Sequence, residues 1–470
     1  MTVVRAADFV PDFTIPVVVV GAGAAGLIAA LSAHAAGAEV LVLERDHLPR
    51  GSTALSAGLI PAAGTRWQRA QGIADSPAQF AADVMAKAGG APDAATVSMV
   101  TAEVGPALEW LADTQGLDFS VIGDFRYPGH SAFRMHGLPS RSGAELIEAL
   151  REAVERAGIT LLCDAQVTAL AADADGRITG VQVRRPDGST EAVGCAALVL
   201  ACNGYGGDPT LVAEHIPELA QALYFGHPGN QGDAVRWGQE LGAVLRHLGG
   251  HQGHGSVAHP IGILITWATI TEGGFQINTA GQRFHNEAVG YSEAAAPVLR
   301  QPGGIAWTVF DRRIADIARQ FADFQQAEAA GVILTAEDLP SLAARMQVPA
   351  AALQATFDAV EALKASGGQD EFGRDFVGVP ALTAPFAAVR VTGALFHTQG
   401  GLVVDAQARV LRPDGRAFAN WLAAGGAACG VSGPQAKGYL SGNGLLTAVA
   451  LGRRAGLTAA SLGGRAAPGA

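Results

Sequence analysis

The chain is poor in the residues that make staples, charged surfaces and membrane spans. Four cysteines among 470 residues, Cys163, Cys195, Cys202 and Cys429, stand without CxxC spacing in apolar or glycine-rich surroundings. That pattern suits buried thiols rather than a metal site or a disulfide framework, and the missing CxxCH motif removes an attached haem. Charged residues make up only 16% and the net charge is −11, which argues against nucleic acid or an anionic membrane as a partner. The longest apolar stretch, 15–43, is broken by Ser32, His34, Glu39 and repeated glycine, so no membrane span is expected. Arg5, Asp8 and Asp12 stand near the start with no apolar run before a cleavage site, so cytoplasm is the default expectation. Tyrosine is scarce, five in all, and each position therefore carries information.

What is present is apolar, 49% hydrophobic, and too long for one compact core, so two domains are expected. Val17 to Val20 are consecutive β-branched residues that read as a strand buried on both faces. They run into Gly21-x-Gly23-x-x-Gly26 and an Ala/Leu-rich helix over 27–36. The first glycine permits a tight turn, the second lets backbone approach a pyrophosphate, and the third lets helix pack on strand. The helix start at Ala24, Ala25 and Gly26 then offers free N–H groups to phosphate. A second strand over 39–43 ends in Glu44 and Arg45, about 20 residues on, where a carboxylate accepts from a ribose 2′-OH. Strand, turn, helix and terminal acid together make dinucleotide binding the expectation.

Gly51, Ser52, Thr53, Ser56 and Gly58 form a loop rich in glycine and hydroxyls that can run close to an extended cofactor. Amphipathic helical spacing covers 77–115 and includes Trp110. A loop over 124–136 carries Arg126, Tyr127, His130, Arg134 and His136. A helix over 143–158 and strands at 159–162, 167–170, 181–184 and 196–201 follow, the last leading to Asn203-Gly204. His247, His251, His254 and His259 then cluster with no HExxH pair and no Cys or carboxylate among them, so no metal is expected. The segment 273–287 reads as a hairpin turning at 279–281, and helices are expected over 311–330, 336–346 and 350–365. The chain returns with His397-Thr-Gln-Gly-Gly and a strand over 417–424 that ends at Gly425-Gly426. Tyr439-Leu-Ser-Gly-Asn443-Gly444-Leu445-Leu446 then opens a helix to about residue 456. The expected class is α/β: a Rossmann-like domain from 1–242 and 382–462, an inserted α+β capping domain over 243–381, and a disordered tail, 463–470.

The glycines, Glu44 and the Ser/Thr/Gly loop together resemble the fumarate reductase and ketosteroid dehydrogenase superfamily of flavoproteins, over nearly the whole chain. The resemblance implies FAD, with the 50–60 loop along the isoalloxazine, the backbone of Val167 at the adenine, and the turn at 442–446 at the flavin's electron-rich edge. The branch with covalent flavin carries a His in that loop. None occurs between Arg50 and Gly64, so a dissociable FAD is implied. Four residues after the Glu of Arg283-Phe-His-Asn-Glu287, fumarate reductases place a proton-donating Arg, whereas ketosteroid dehydrogenases place what looks like a base, Tyr. Here it is Tyr291. The substrate-gripping Arg before Leu-Gly-Gly-Asn is likewise replaced by Tyr439, where ketosteroid dehydrogenases carry a Tyr bonded to the ketone. His397 dissents, since it matches a substrate-binding His of the fumarate reductases.

An Arg fork clamps a carboxylate bidentately, whereas a Tyr hydroxyl donates one neutral hydrogen bond suited to a carbonyl becoming an enolate. The expected activity is α,β-desaturation of a ketone, a small cyclic ketone or oxocyclohexane carboxylate, with an external electron acceptor. Tyr439 and the N–H near Gly444 polarise the carbonyl, Tyr291 takes the α-proton, and Tyr127 supports Tyr291. Trp110, Arg134 and His397 are candidate substrate contacts, with Arg126 beside them. The alternatives are reduction of an activated C=C, dehydrogenation of a polycarboxylate, and an FAD-binding scaffold with no substrate of its own.

Overall fold

The structure, a computed structural model, describes residues 2–123 and 125–464. Phe13–Val20 lies between Val40–Leu43 and Thr190–Leu200, with Thr160–Leu162 beyond Val40–Leu43, and every one of these pairings is parallel. A parallel sheet needs both faces covered, and Val17, Val18 and Val19 accordingly have no exposure at all. The helix Ala24–Ala35 covers one face and packs against Asn443–Gly463. Their approach depends on Gly452, where a Cβ would lie 2.6 Å from the Ala25 carbonyl.

Thr190–Leu200 serves two neighbours along a single edge. Its first half pairs antiparallel with Ile178–Arg184, from Thr190 opposite Arg184 to Gly194 opposite Gly180. Its last turns pair parallel with Ala417–Ala423, Leu198 opposite Trp421. The expected strand over 196–201 is thus only the buried end of a longer one, because the Ile178–Arg184 ladder recruits the polar start at Thr190 and Glu191.

Two compact units result: residues 1–211, 226–251 and 397 onward, and residues 212–225 with 252–396. The second is built on a sheet around Phe386–Thr398, flanked by His251–Ala258 and Ile305–Asp311 and paired also with Leu223–Tyr224 and Ile333–Ala336. The division falls outside the expected 243–381, since that central strand carries the unit to 396 and Leu223–Tyr224 brings in residues from before 243. The expected hairpin over 273–287 keeps only Phe275–Ile277, which pairs with Ile305–Asp311. Its return strand is missing because Arg283 and Glu287 turn inward, into an ionic cluster with Asp370 and Arg374. The helix expected over 311–330 is two, Arg312–Ala318 and Ala322–Ala329, and the last helix reaches Gly463. The rest of the expected tail, 465–470, lies outside the described residues. No described helix is long and apolar enough to cross a membrane.

Candidate active site

The glycine turn is shaped by collisions that any side chain would create. A Cβ on Gly21, whose φ is +101°, would lie 2.6 Å from the Ala201 carbonyl, and one on Gly26 would overlap the Gly21 carbonyl. At Gly23 the nearest outside atom is Thr53 Oγ1 at 3.6 Å, so this backbone stays open to a ligand. Ala24 N–H donates to Thr53 Oγ1 (3.0 Å), tying the 50–60 loop to the helix start. Glu44, buried, accepts from Ala22 N–H (2.8 Å) and Asp46 N–H (3.0 Å). Burial raises its carboxyl above the usual range, against the pull of those two amides. Each carboxylate oxygen keeps a lone pair for a ribose hydroxyl.

Ser52 Oγ accepts from Asn230 (2.9 Å) and Asn203 (3.3 Å), and Asn203 holds a positive φ of 64° with its own Oδ1 on Gly204 N–H. Asp233 was not expected from sequence. It opens a helix directly after Gly232, is 9% exposed, and one of its carboxylate oxygens has no hydrogen-bond partner. Burial raises its carboxyl, with the Arg45 and Arg236 guanidiniums pulling the other way. An unpartnered buried acceptor beside the mouth of a nucleotide turn is what a polyhydroxylated chain, the ribityl or ribose of FAD, would satisfy. The residues present therefore fit FAD, held by the turn 21–26, Glu44, Asp233 and the 50–60 loop.

Tyr439 follows a short 3-10 turn and precedes Gly442, whose φ is +88° and whose Cβ would strike Pro61 at 2.6 Å. His130 Nε2 bonds the Ser441 carbonyl (2.9 Å), fastening this turn to the loop that carries Tyr127. Burial drives the Tyr439 phenol far above its ordinary value, and the backbone N–H groups of Gly442 and Gly444 recover only part of that. Tyr127 adds to the rise through repulsion, and burial raises Tyr127 as well. Both hydroxyls are thereby kept protonated, as donors. The His397 ring stands edge-on to Tyr439, centroids 5.4 Å apart at 74°. Burial lowers His397 to about 4, so at neutral pH it is an uncharged imidazole. A Cβ on Gly444 would lie 3.0 Å from its Nε2.

In the second unit the helix Tyr291–Leu299 begins after Gly290, at φ +141°. It lies on the strand His251–Ala258 because Gly253 and Gly255 carry no side chain: a Cβ there would meet Ala295 at 2.8 Å and Ala294 at 2.5 Å. Ser292 Oγ accepts from Gly253 N–H at 2.9 Å and fixes the register. Tyr291 consequently stacks on His254 (5.0 Å, 21°), His254 on Phe396 (5.3 Å, 22°) and Phe396 on Phe225 (4.8 Å, 16°). Trp267 closes the column edge-on to His254 at 5.7 Å and to Tyr291 at 6.5 Å. His254 Nδ1 accepts from Ser256 N–H (3.1 Å), which leaves the ring proton on Nε2, and burial takes the group down to about 3. Among the described residues no cluster of His, Cys, Asp or Glu is placed to hold a metal.

Two expected substrate contacts sit elsewhere. Arg134 is 1% exposed and engaged by Asp75 (2.8 Å) and Asp83, and it lies over Phe80, so its charge is spent inside the fold. Trp110 lies under the Arg453 guanidinium and lines a surface cleft with Ser32 and Leu457, away from Tyr439. Arg126, exposed, reaches the Ser131 carbonyl at 3.4 Å. Of the expected cofactor residues, Ser56 bonds its own turn and Gly58 packs at Ser142–Gly143. Arg45 donates to the Gly229 carbonyl (2.7 Å), Val167 is buried opposite Val183, and Leu446 is in the core while Leu445 packs against it. Gly425 and Gly426 press on Ala25 and Asn203. The signal for His254 lay in the histidine cluster, but only the fold shows which of the four rings meets a tyrosine.

A nucleotide turn, a buried acceptor for sugar hydroxyls and a protonated phenol beside amide donors define a flavoprotein oxidoreductase. The FAD binding domain family matches residues 16–445, and the chain belongs to it and binds FAD. It is similar to a probable fumarate reductase, Ifc3, of Shewanella frigidimarina (strain NCIMB 400), 29% identical over 454 residues covering 96% of this chain and 75% of that one. It is similar also to a 4-oxocyclohexanecarboxylate 2-dehydrogenase of Sinomonas cyclohexanicum, 26% identical, covering 89% and 88% of the two chains. Among solved structures it matches the 3-ketosteroid-delta4-(5alpha)-dehydrogenase from Rhodococcus jostii RHA1 in complex with 4-androstene-3,17-dione. That match has TM-score 0.77 and 26% identity, over 97% of this chain and 99% of that one. Relatives thus span both fumarate reduction and ketone dehydrogenation.

Proposed function

We propose that this enzyme desaturates a ketone between its α and β carbons, the substrate being a small cyclic ketone or an oxocyclohexane carboxylate. The observation that carries the reading is Tyr439: a phenol held protonated by burial, with the N–H groups of Gly442 and Gly444 at its oxygen and an uncharged imidazole at its edge. Such a cluster stabilises an oxygen that gains charge during reaction, in the manner of an oxyanion hole. It matches a dianion poorly, since a fixed cation suits a carboxylate better than neutral donors do.

FAD, held by the turn 21–26, Glu44, Asp233 and the 50–60 loop, would supply the two-electron sink for the β-hydrogen. The chain's own part is to acidify the α-carbon and receive its proton. Tyr439 O–H polarises the carbonyl, sharpened as a donor by the Gly442 and Gly444 N–H groups on its own oxygen, and Tyr291 accepts the α-proton at its phenolic oxygen. A free tyrosine titrates near pH 10, so acting at neutral pH asks about 4 kcal/mol of the site. The uncharged rings around Tyr291, Phe225, Phe396, His254 and Trp267, suit a carbocyclic substrate. FAD is held without a covalent link, an external acceptor reoxidises it, and the enzyme is cytoplasmic. Reduction of an activated C=C is the rival, favoured by the 29% identical probable fumarate reductase. Anaerobic titration of the oxidised holoenzyme with cyclohexanone, oxocyclohexane carboxylate, a ketosteroid and succinate separates the two: ketones that bleach the flavin support the reading, and bleaching by succinate alone overturns it.

A further inference from the structure

A chain of buried amides and a hydroxyl leads away from His397. Asn443 Nδ2–H donates to Ser432 Oγ (2.9 Å), Ser432 O–H donates to Gln399 Oε1 (2.6 Å), and Gln399 Nε2–H donates to His397 Nδ1 (3.1 Å). Asn443, Ser432 and Gln399 are 0%, 1% and 4% exposed, so water does not compete for the Asn443–Ser432 and Ser432–Gln399 bonds. A serine hydroxyl has one proton, so the direction of the chain is set as a whole: if Asn443 gives, Gln399 presents its NH2 to the imidazole.

Two observations fix that direction. Asn443 is the first residue of its helix, and its Oδ1 has no partner. In the reverse direction its NH2 would occupy that buried place at the positive end of the helix dipole, donor against donor. A carbonyl asks for the opposite ring proton, that of Thr398, but it lies 3.4 Å from His397 Nδ1, too long to prevail over the Gln399 bond.

We propose that Asn443, Ser432 and Gln399 are positioning residues that keep the His397 proton on Nε2, making His397 a second neutral donor beside Tyr439 O–H. The ligand group that meets this pair is an oxygen acceptor with no proton of its own, a ketone carbonyl or its enolate. The Cε1–Nε2 edge of the ring is turned to Gly444, whose missing Cβ leaves it room there. The partner on the far nitrogen of a functional imidazole decides which nitrogen donates; at metal-bound imidazoles losing such a partner costs about 10–100-fold in activity, and the same scale is expected here. The inference rests on the ketone reading for its substrate, but not for the tautomer.

The test is a long-range proton–nitrogen correlation spectrum of the FAD-loaded protein with nitrogen-labelled histidine, His397 being assigned by its loss in His397→Gln. The expected result is a proton on Nε2 and a bare Nδ1 in the parent. Gln399→Glu, which can only accept, moves the proton to Nδ1, and Ser432→Ala leaves a mixture. Ketone-driven flavin reduction falls by about 10–100-fold in Gln399→Glu while FAD content is unchanged. Should that variant lose FAD, Gln399→Leu is read instead and is expected to give mixed tautomers. A parent protein with the proton on Nδ1, or variants that leave the tautomer unmoved, overturns the proposal. The expected tautomers together with no bleaching by any ketone uphold the relay and overturn the ketone reading alone.

Discussion

Tyr439→Phe removes one oxygen from a fully packed turn, so it tests the donor and little else. The expected loss in the rate of flavin reduction by ketone is about two to three orders of magnitude, with FAD still bound, measured by anaerobic stopped flow. Tyr291→Phe is expected to abolish that step; a variant that keeps most of its rate removes the base assignment. The sequence singled out both tyrosines by a fixed spacing from a short motif, Arg283 to Glu287 in one case and Leu440 to Asn443 in the other, and what it could not give is their surroundings, His254 against Tyr291 and His397 against Tyr439. Arg134 was not: the carboxylates that consume it, Asp75 and Asp83, lie 59 and 51 residues earlier, and nothing local announces them. Asp233 and the Ser432–Gln399 bond were hidden for the same reason, since a missing partner and a contact across 33 residues are properties of packing.

At the scale of elements, the segment after Phe275–Ile277 shows a local pattern losing to a distant one. Alternation predicts a return strand, yet Glu287, fully buried, is bound by Arg283 (2.6 Å) and Arg374 (3.0 Å). Burial works against its charge, but the Arg283 hydrogen bond and the two guanidiniums more than offset this and hold the carboxyl down to about 2. Glu287→Gln takes the counter-charge from buried Arg374 and leaves Arg283 with Asp370 alone, and is expected to cost about 3–5 kcal/mol of stability, seen as a lower denaturation midpoint. The pH dependence follows from the lowered value. The contribution is complete above the unfolded carboxyl near 4.5 and drains away as pH falls toward 2, so the gap between parent and variant should close over that range. Gly255→Ala tests the other element contact. Its methyl would press on Ala294, at an expected cost of about 1–3 kcal/mol, and by shifting the helix that starts at Tyr291 it should lower turnover while FAD affinity holds.

For the whole molecule, the nucleotide-binding unit was readable from little more than its first 45 residues, because a parallel strand, glycine turn and helix form one local motif. The second unit was readable as an insertion but not in its limits. Leu223–Tyr224 joins it by pairing with Leu395 and Ala394, a contact that no periodicity encodes. FAD retention belongs to the first unit alone on this account. Asp233→Ala is therefore expected to raise the FAD dissociation constant by about tenfold, the scale of one lost hydrogen bond to a charged group, with turnover restored at saturating FAD. The central claim is that neutral donors at Tyr439 steady an enolate. It is tested most directly by anaerobic titration of the oxidised holoenzyme with cyclohexanone, 4-oxocyclohexane carboxylate and succinate, following the yellow flavin absorbance. Bleaching by one or both ketones, lost in Tyr291→Phe and slowed in Tyr439→Phe, is the predicted result; bleaching by succinate with both ketones inert contradicts it.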